Sequence, residues 1–169
     1  MAQRILLSVV LLLAQALVFN HIGFLGYGTP MVCTYILLGW GLLIGRTTLL
    51  LWGFVLGVLQ DMFAGTPGQN AVALTLVALL QPFILRLLAS GDFLSDETGP
   101  APSAAVLGWR TFMVYSLCLV FVQQLVVYAL EYFSFAQPAE LSLHILCGTI
   151  CSWACCLVFE GVRRPSKDQ

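Results

Sequence analysis

Charged residues are scarce in this chain. Lys, Arg, Asp and Glu make up 9% of its 169 residues and hydrophobic residues 60%, whereas a soluble domain carries roughly 25% charged residues. So few charges cannot give a folded domain a water-soluble surface, and the mean hydropathy of +0.95 favours a protein that has the lipid bilayer as its solvent. The basic residues also form no patch of the kind that binds nucleic acid.

Catalytic and metal-binding motifs are absent as well. The sequence contains no nucleophile elbow, phosphate-binding loop, dinucleotide fingerprint or paired-histidine zinc motif. Its six cysteines lie in apolar segments without the two Cys-x2-Cys pairs of a structural zinc site, so we interpret them as small packing residues. We therefore expect no enzyme activity, no cofactor and no bound metal.

Long apolar segments take up most of the chain. A helix needs roughly 20 apolar residues to cross the hydrocarbon core of a bilayer. The predicted spans are residues 4–22, 30–45, 48–64, 68–89, 108–133 and 139–161, with a polar loop at 90–107. We thus predict an all-α polytopic membrane protein with a single six-helix domain over residues 1–169. The first segment also fits a signal peptide, but its apolar run continues and nothing soluble follows, which favours an uncleaved span.

All seven basic residues fall on one side of the predicted arrangement. They are Arg4, Arg46, Arg86, Arg110, Arg163, Arg164 and Lys167. Because cytoplasmic loops carry an excess of Lys and Arg, we expect both termini and the loop at 90–107 to lie in the cytoplasm. Glu160 precedes three of these residues, and its position favours a local ion pair at the membrane surface.

One acidic residue interrupts the apolar segments at a turn. In the stretch LQDMFAGTPGQN, Asp61 ends the third predicted span and a Gly-Thr-Pro-Gly sequence follows. A carboxylate near the membrane needs compensating partners, and Gly65 and Gly68 permit the backbone angles of a tight reversal. We expect Asp61 to fix the turn by accepting hydrogen bonds from it, with Thr66 or Asn70 among the donors. The alternative is a proton or cation site, which would require several facing acids or histidines.

Glycines punctuate the second and third predicted spans. Gly39 and Gly45 lie in or at the end of the second, and Gly53 and Gly57 mark one face of the third. Small residues let transmembrane helices approach closely. The pattern is typical of packing within one chain, and the alternative is a groove for a partner's transmembrane helix.

Several polar residues lie near the predicted outer ends of the spans. Asn20, His21, Asn70 and His144, with Asp61, are candidates for an outer pocket that binds a small molecule. The two histidines form no His-x3-His pair, and a single histidine near an interface is more often a hydrogen-bonded surface residue. A pocket and a purely structural role both remain open from the residues alone.

Two segments carry a family resemblance. In AQALVFNHIGFLGYGTPMVCTYILL, residues 14–38, a first span runs into a short loop and then a second span. In GFVLGVLQDMFAGTPGQNAVALTLVALLQPFIL, residues 53–85, a glycine-spaced helix ends in Asp and continues through Gly-Thr-Pro-Gly. Together with the length and the six-span layout, these features resemble the rod-shape-determining membrane protein family MreD.

The resemblance implies a fold, a location and partners. Such proteins are non-enzymatic components of the rod complex, or elongasome, in the bacterial inner membrane, and their fold is similar to the six-helix substrate-binding components of energy-coupling-factor transporters. They bind the bitopic protein MreC and help couple MreB filaments and cell-wall synthases in peptidoglycan synthesis, which maintains cell shape. Asp61, Pro67 and Gly68 match the family's turn, and we expect them to be structural or partner-facing. A small-molecule-binding component of a vitamin-type transporter is the alternative function.

Overall fold

The described part of the chain is helical. The computed structural model describes residues 11, 15, 31–41, 44–88, 102–131 and 138–162, the last range without side chains for 138–141. The helices are α1 (Cys33–Trp40), α2 (Arg46–Ala64), α3 (Gln69–Leu88), α4 (Ala104–Leu107), α5 (Trp109–Glu131) and α6 (Pro138–Val162). No strand occurs among these residues, so the all-α class is confirmed for them.

Four of these helices are long and apolar enough to cross a membrane. They are Arg46–Ala64, Gln69–Leu88, Trp109–Glu131 and Ser142–Val162, and they coincide with the last four predicted spans. A multi-pass membrane protein therefore fits the described ranges. The first predicted span, 4–22, lies outside the described residues apart from two positions.

The second predicted span is not confirmed as a membrane-crossing helix. In the described part of this segment, residues 31–41 and 44–45, the α-helix is the eight-residue α1. It is about 12 Å long against a hydrocarbon core of roughly 30 Å. A Cβ atom at Gly41, which ends α1, would lie 2.6 Å from both the Gln81 amide nitrogen and the Pro102 ring. The backbone is therefore confined there by its neighbours, and the apolar residues 31–41 are buried in the protein rather than exposed to lipid.

Helices α2 and α3 pack closely through two glycines. A Cβ atom added at Gly57 would lie 2.4 Å from the Ala71 Cα, and one added at Gly53 would lie 2.9 Å from the Leu74 carbonyl oxygen. Backbones approach this closely only where one helix presents no side chain. The interpretation of packing within the chain is therefore correct for this pair, and the face cannot serve as a groove for a partner helix.

The long helices form a row in the order α2, α3, α5, α6, each antiparallel to its neighbour. In α6, the Trp153 indole nitrogen donates to the Met113 carbonyl near the start of α5. Earlier in α6, Gly148 packs against Gln124 and Tyr128 near the end of α5. Higher residue numbers in α6 therefore lie beside lower residue numbers in α5, so the two helices are antiparallel.

Charged residues lie at the two ends of the antiparallel row. Arg46 begins α2, Arg86 lies in the last turn of α3 and Arg110 lies in the first turn of α5, so these three arginines share one end, called here the basic end. Asp61 and Glu131 lie at the opposite end, called here the turn end. This distribution follows from the antiparallel order of the helices and the positions of these residues within them.

Helix α1 lies inside the bundle. Only Gly39 of its eight residues is not fully buried, and α1 contacts α2, α3 and α5. Its apolar side chains form one core with those of the long helices, including Leu74, Phe112 and Leu119. A short helix surrounded in this way has no apolar face for lipid, so its polar backbone ends must be satisfied by the protein.

Candidate functional site

Asp61 is the centre of a hydrogen-bonded cluster at the turn end. Its Oδ1 accepts hydrogen bonds from the Thr66 hydroxyl at 2.6 Å and from the backbone N–H and side-chain amide of Asn70, both at 2.9 Å. Its Oδ2 accepts one from the Ala71 N–H at 2.9 Å. The residue is buried, with 6% of its surface exposed. The expected hydrogen bonds from Thr66 and Asn70 are therefore present.

The cluster satisfies the ends of two helices at once. The backbone carbonyl of Asp61 accepts hydrogen bonds from the N–H groups of Gly65 and Thr66, which terminates α2. The carboxylate caps Asn70 and Ala71, whose N–H groups belong to the first turn of α3 and have no partner within that helix. A negative charge is also favourable at a helix N-terminus. An acid that would oppose the dipole of α2 is thus compensated by α3.

Gly65 and Gly68 give the turn its shape. Their φ angles are +67° and +81°, in the left-handed region that side-chain-bearing residues rarely adopt. Pro67 lies exposed between them, and the Gly68 N–H donates to the Thr66 carbonyl at 3.0 Å. The turn residues are therefore structural in this bundle, while a partner-facing role of Pro67 stays a prediction.

Side chains from two other segments hold the N-terminal end of α1. The Met31 N–H donates to the Ser152 hydroxyl at 2.8 Å, and the Val32 N–H donates to the Gln15 side-chain oxygen at 2.7 Å. The Gln124 amide also donates to the Ser152 hydroxyl, at 2.8 Å. A serine in a membrane helix is usually explained as a small packing residue. The Ser152 hydroxyl instead joins α1, α5 and α6.

A second buried carboxylate holds the other side of α1. Glu160 has 7% of its surface exposed and accepts a hydrogen bond from the Tyr35 hydroxyl at 2.8 Å. Its other oxygen accepts one from the Ala104 N–H, also at 2.8 Å. The sequence analysis did not anticipate these two hydrogen bonds. The expected ion pair stays a prediction, because Arg163 and Arg164 lie outside the described residues. Glu160 ties the start of α4 and the middle of α1 to the last turns of α6.

The candidate outer pocket is not assembled by the described residues. Asn20 and His21 lie outside them. The amide nitrogen of Asn70 is bonded to Asp61, and the His144 ring lies 5.7 Å from the Tyr128 ring, centroid to centroid. Asn70 and His144 stand on α3 and α6, which flank α5 on opposite sides, so the pocket stays a prediction.

Gly39 and Gly45 have open space at their Cβ positions. No atom of the described residues lies within 4 Å of a Cβ position at Gly39 or Gly45, so neither takes part in close helix packing there.

Within the described ranges, no group of three His, Cys, Asp or Glu side chains is placed to hold a metal ion. The cysteines of the described helices are free thiols.

Comparison with known proteins adds no relative. The chain matches no protein-family model, no curated protein and no solved structure. The resemblance to MreD therefore stays a hypothesis from the residues themselves, and the structure contributes a helical membrane bundle with two internally bonded carboxylates.

Proposed function

We propose that this protein is a non-enzymatic scaffold of the bacterial inner membrane. In this proposal it acts in the rod complex, binds an MreC-like bitopic protein and helps maintain cell shape by organising peptidoglycan synthesis with MreB and the cell-wall synthases. Two features support it: the resemblance to the MreD family over residues 14–38 and 53–85, and the four long apolar helices.

One observation carries the scaffold interpretation. The buried polar side chains Asp61, Ser152 and Glu160 each accept a hydrogen bond from the backbone of another element. Such contacts fix the relative positions of helices, because a buried N–H without a partner is costly in lipid. A fixed shape is what a protein needs in order to position partners in the plane of the membrane.

The partner surface must lie away from the glycine face of α2. Gly53 and Gly57 are covered by α3, whereas the other side of α2 exposes large apolar side chains that include Leu51, Phe54 and Met62. In the membrane these side chains contact lipid or another transmembrane helix. This exposed face of α2 is the first surface to test for the bitopic partner.

We propose that the basic end faces the cytoplasm. Arg46, Arg86 and Arg110 share that end, and the positive-inside rule places such residues on the cytoplasmic side. Asp61 and its turn then face the outside. The proposed location of both chain termini in the cytoplasm depends in addition on the first predicted span, 4–22.

Copurification tests the proposal. Full-length tagged protein, extracted from its native membrane in mild detergent, should retain a bitopic membrane protein of the MreC type. A Phe54→Ala variant on the exposed face of α2 should retain less of it. Phe121→Ala, on the exposed face of α5, is the matched control and should retain as much as the original protein. Absence of any bitopic partner, with a vitamin-like ligand retained instead, would overturn the scaffold in favour of the small-molecule-binding alternative.

A further inference from the structure

Two arginines lie at the same level where α2 and α3 reach the basic end. Gly53 of α2 lies opposite Ala78 of α3, because a Cβ atom added at Gly53 would lie 3.0 Å from the Ala78 Cβ. Arg46 comes seven residues before Gly53 and Arg86 eight residues after Ala78, which places them about 10 Å and about 12 Å further towards the basic end. The two arginines therefore end adjacent antiparallel helices at nearly the same depth.

Arg46 lies on the side of α2 that is turned towards α3. Positions 46, 53 and 57 are separated by seven and four residues, a spacing that puts them on one helix face. The glycines of this face approach the α3 backbone, with a Cβ at Gly57 only 2.4 Å from the Ala71 Cα. The start of α2 is thus fixed beside the end of α3, and Arg46 and Arg86, called here the arginine pair, are both exposed there.

The arginine pair has no counter-charge among the described residues. Neither side chain takes part in a hydrogen bond or an ion pair with another described residue. Asp61 and Glu131 lie at the turn end, and Glu160 accepts hydrogen bonds from Tyr35 and Ala104. Two guanidinium groups on neighbouring helix ends repel each other, so an anion that contacts both of them would bind favourably.

An exposed apolar surface of α3 leads up to the pair. Helix α1 covers the other side of α3, where the Gln81 amide donates to the Leu37 carbonyl at 3.3 Å. Successive residues of a helix are about 100° apart, so Leu79 and Phe83, each two positions from Gln81, point to nearly the opposite side. Their exposed fractions are 41% and 65%. Arg86 follows Phe83 by one helical turn and ends this apolar surface.

This combination of charge and apolar surface matches a phospholipid. The phosphate of a phospholipid is anionic and its acyl chains are apolar, and arginine binds phosphate oxygens through paired hydrogen bonds. Basic sites between membrane helices are known to bind lipid headgroups in this way. A free phosphate ion would use the arginines without the apolar surface, and an apolar partner helix would use the surface without the arginines.

We propose that the arginine pair binds the headgroup phosphate of an anionic phospholipid, whose acyl chain lies along Leu79 and Phe83. The bound lipid links α2 and α3 at the basic end, as the Asp61 cluster links them at the turn end. This inference is independent of the rod-complex proposal, because the surface proposed for the bitopic partner is the exposed face of α2.

Native mass spectrometry of the delipidated full-length protein in detergent tests the proposal. The protein is titrated with phosphatidylglycerol, which carries a net negative charge, or with phosphatidylcholine, which has a phosphate and the same acyl chains but no net charge. The original protein should bind phosphatidylglycerol several-fold more tightly than phosphatidylcholine. A parallel titration with inorganic phosphate alone should leave lipid binding unchanged, since the ion lacks the acyl chain.

Variants assign the binding to the pair. Arg46→Gln and Arg86→Gln each remove one charge and should weaken phosphatidylglycerol binding about fivefold. Arg110→Gln is the matched control, because Arg110 is also exposed at the basic end but lies on α5, which α3 separates from α2, and it should have a much smaller effect. Arg86→Lys keeps the charge and should bind more tightly than Arg86→Gln, which distinguishes a lost charge from a disturbed fold.

Three results would contradict the proposed lipid site. The first is equal affinity of the original protein for the two lipids. The second is a loss of affinity in Arg110→Gln as large as that in Arg46→Gln and Arg86→Gln, which would show a general attraction to the basic end. The third is displacement of the lipid by inorganic phosphate at the same concentration, which would assign the arginine pair to a free anion.

Discussion

Replacing Asp61 with leucine removes the acceptor of four hydrogen bonds. The N–H groups of Asn70 and Ala71 are buried in the first turn of α3 and would lose their partner. A buried donor left unpaired costs about 1–3 kcal/mol, so Asp61→Leu should lower the free energy of unfolding by about 2–6 kcal/mol. For a chain of this length, a loss in the middle of that range corresponds to a decrease in Tm of about 8–16 °C.

Asparagine at the same position should have a smaller effect. It keeps one oxygen, which can still accept from Thr66 and Asn70, but its amide nitrogen would face the Ala71 N–H, donor against donor. One buried donor then loses its partner, at a cost of about 1–3 kcal/mol. The expected order of stability is therefore the original protein, then Asp61→Asn, then Asp61→Leu.

Thermal denaturation in one detergent and at one scan rate measures this order. Glu131→Leu is the matched control: it also removes a carboxylate at the turn end, but Glu131 is exposed, and an exposed substitution changes stability by at most about 0.5 kcal/mol. A Tm for Asp61→Leu that equals that of Glu131→Leu would refute the assignment of Asp61 as the residue that fixes the turn.

Three further predictions follow from the packing. Gly57→Ala should strongly destabilise the protein because its Cβ would meet the backbone of α3, whereas Gly45→Ala should be neutral, and equal Tm values would contradict the close approach. Glu160→Leu leaves the buried Ala104 N–H unpaired and should increase the rate of proteolysis around Ala104, measured by mass spectrometry. Glu160→Gln should not increase it, because the glutamine side-chain oxygen can still accept the hydrogen bond. Equal cleavage rates in the two variants would contradict this role of Glu160. In a variant without the native cysteines, Ser95→Cys should react with a membrane-impermeant maleimide only from the cytoplasmic side, and labelling of intact cells from outside would reverse the proposed orientation.

The Asp61 turn was predictable because all its components are close in sequence. An acid, two glycines and a proline within eight positions limit the turn to a few geometries. The hydrogen-bond donors Thr66 and Asn70 follow within nine residues. Local chemistry of this kind depends little on the rest of the fold, so the sequence alone predicts it.

The environment of Glu160 was not predictable for the opposite reason. Its partners Tyr35 and Ala104 lie 125 and 56 residues away, and no periodicity links them. Nearby Arg163 and Arg164 suggest a surface position, whereas the position of α1 inside the bundle determines that the carboxylate is buried. A buried hydroxyl such as that of Ser152 is equally difficult to recognise, because small residues in membrane helices are usually explained by packing.

The short helix α1 explains why the second predicted span is not among the four long helices of the described residues. Met31, just before α1, packs against Ala73 of α3, and Gly41, just after it, approaches Gln81. Ala73 and Gln81 are separated by about 12 Å along α3, which equals the length of α1. The described residues 31–41 therefore lie beside α3 inside the bundle, with helix over Cys33–Trp40. An apolar segment of this composition need not be a membrane-crossing helix when protein, rather than lipid, surrounds it.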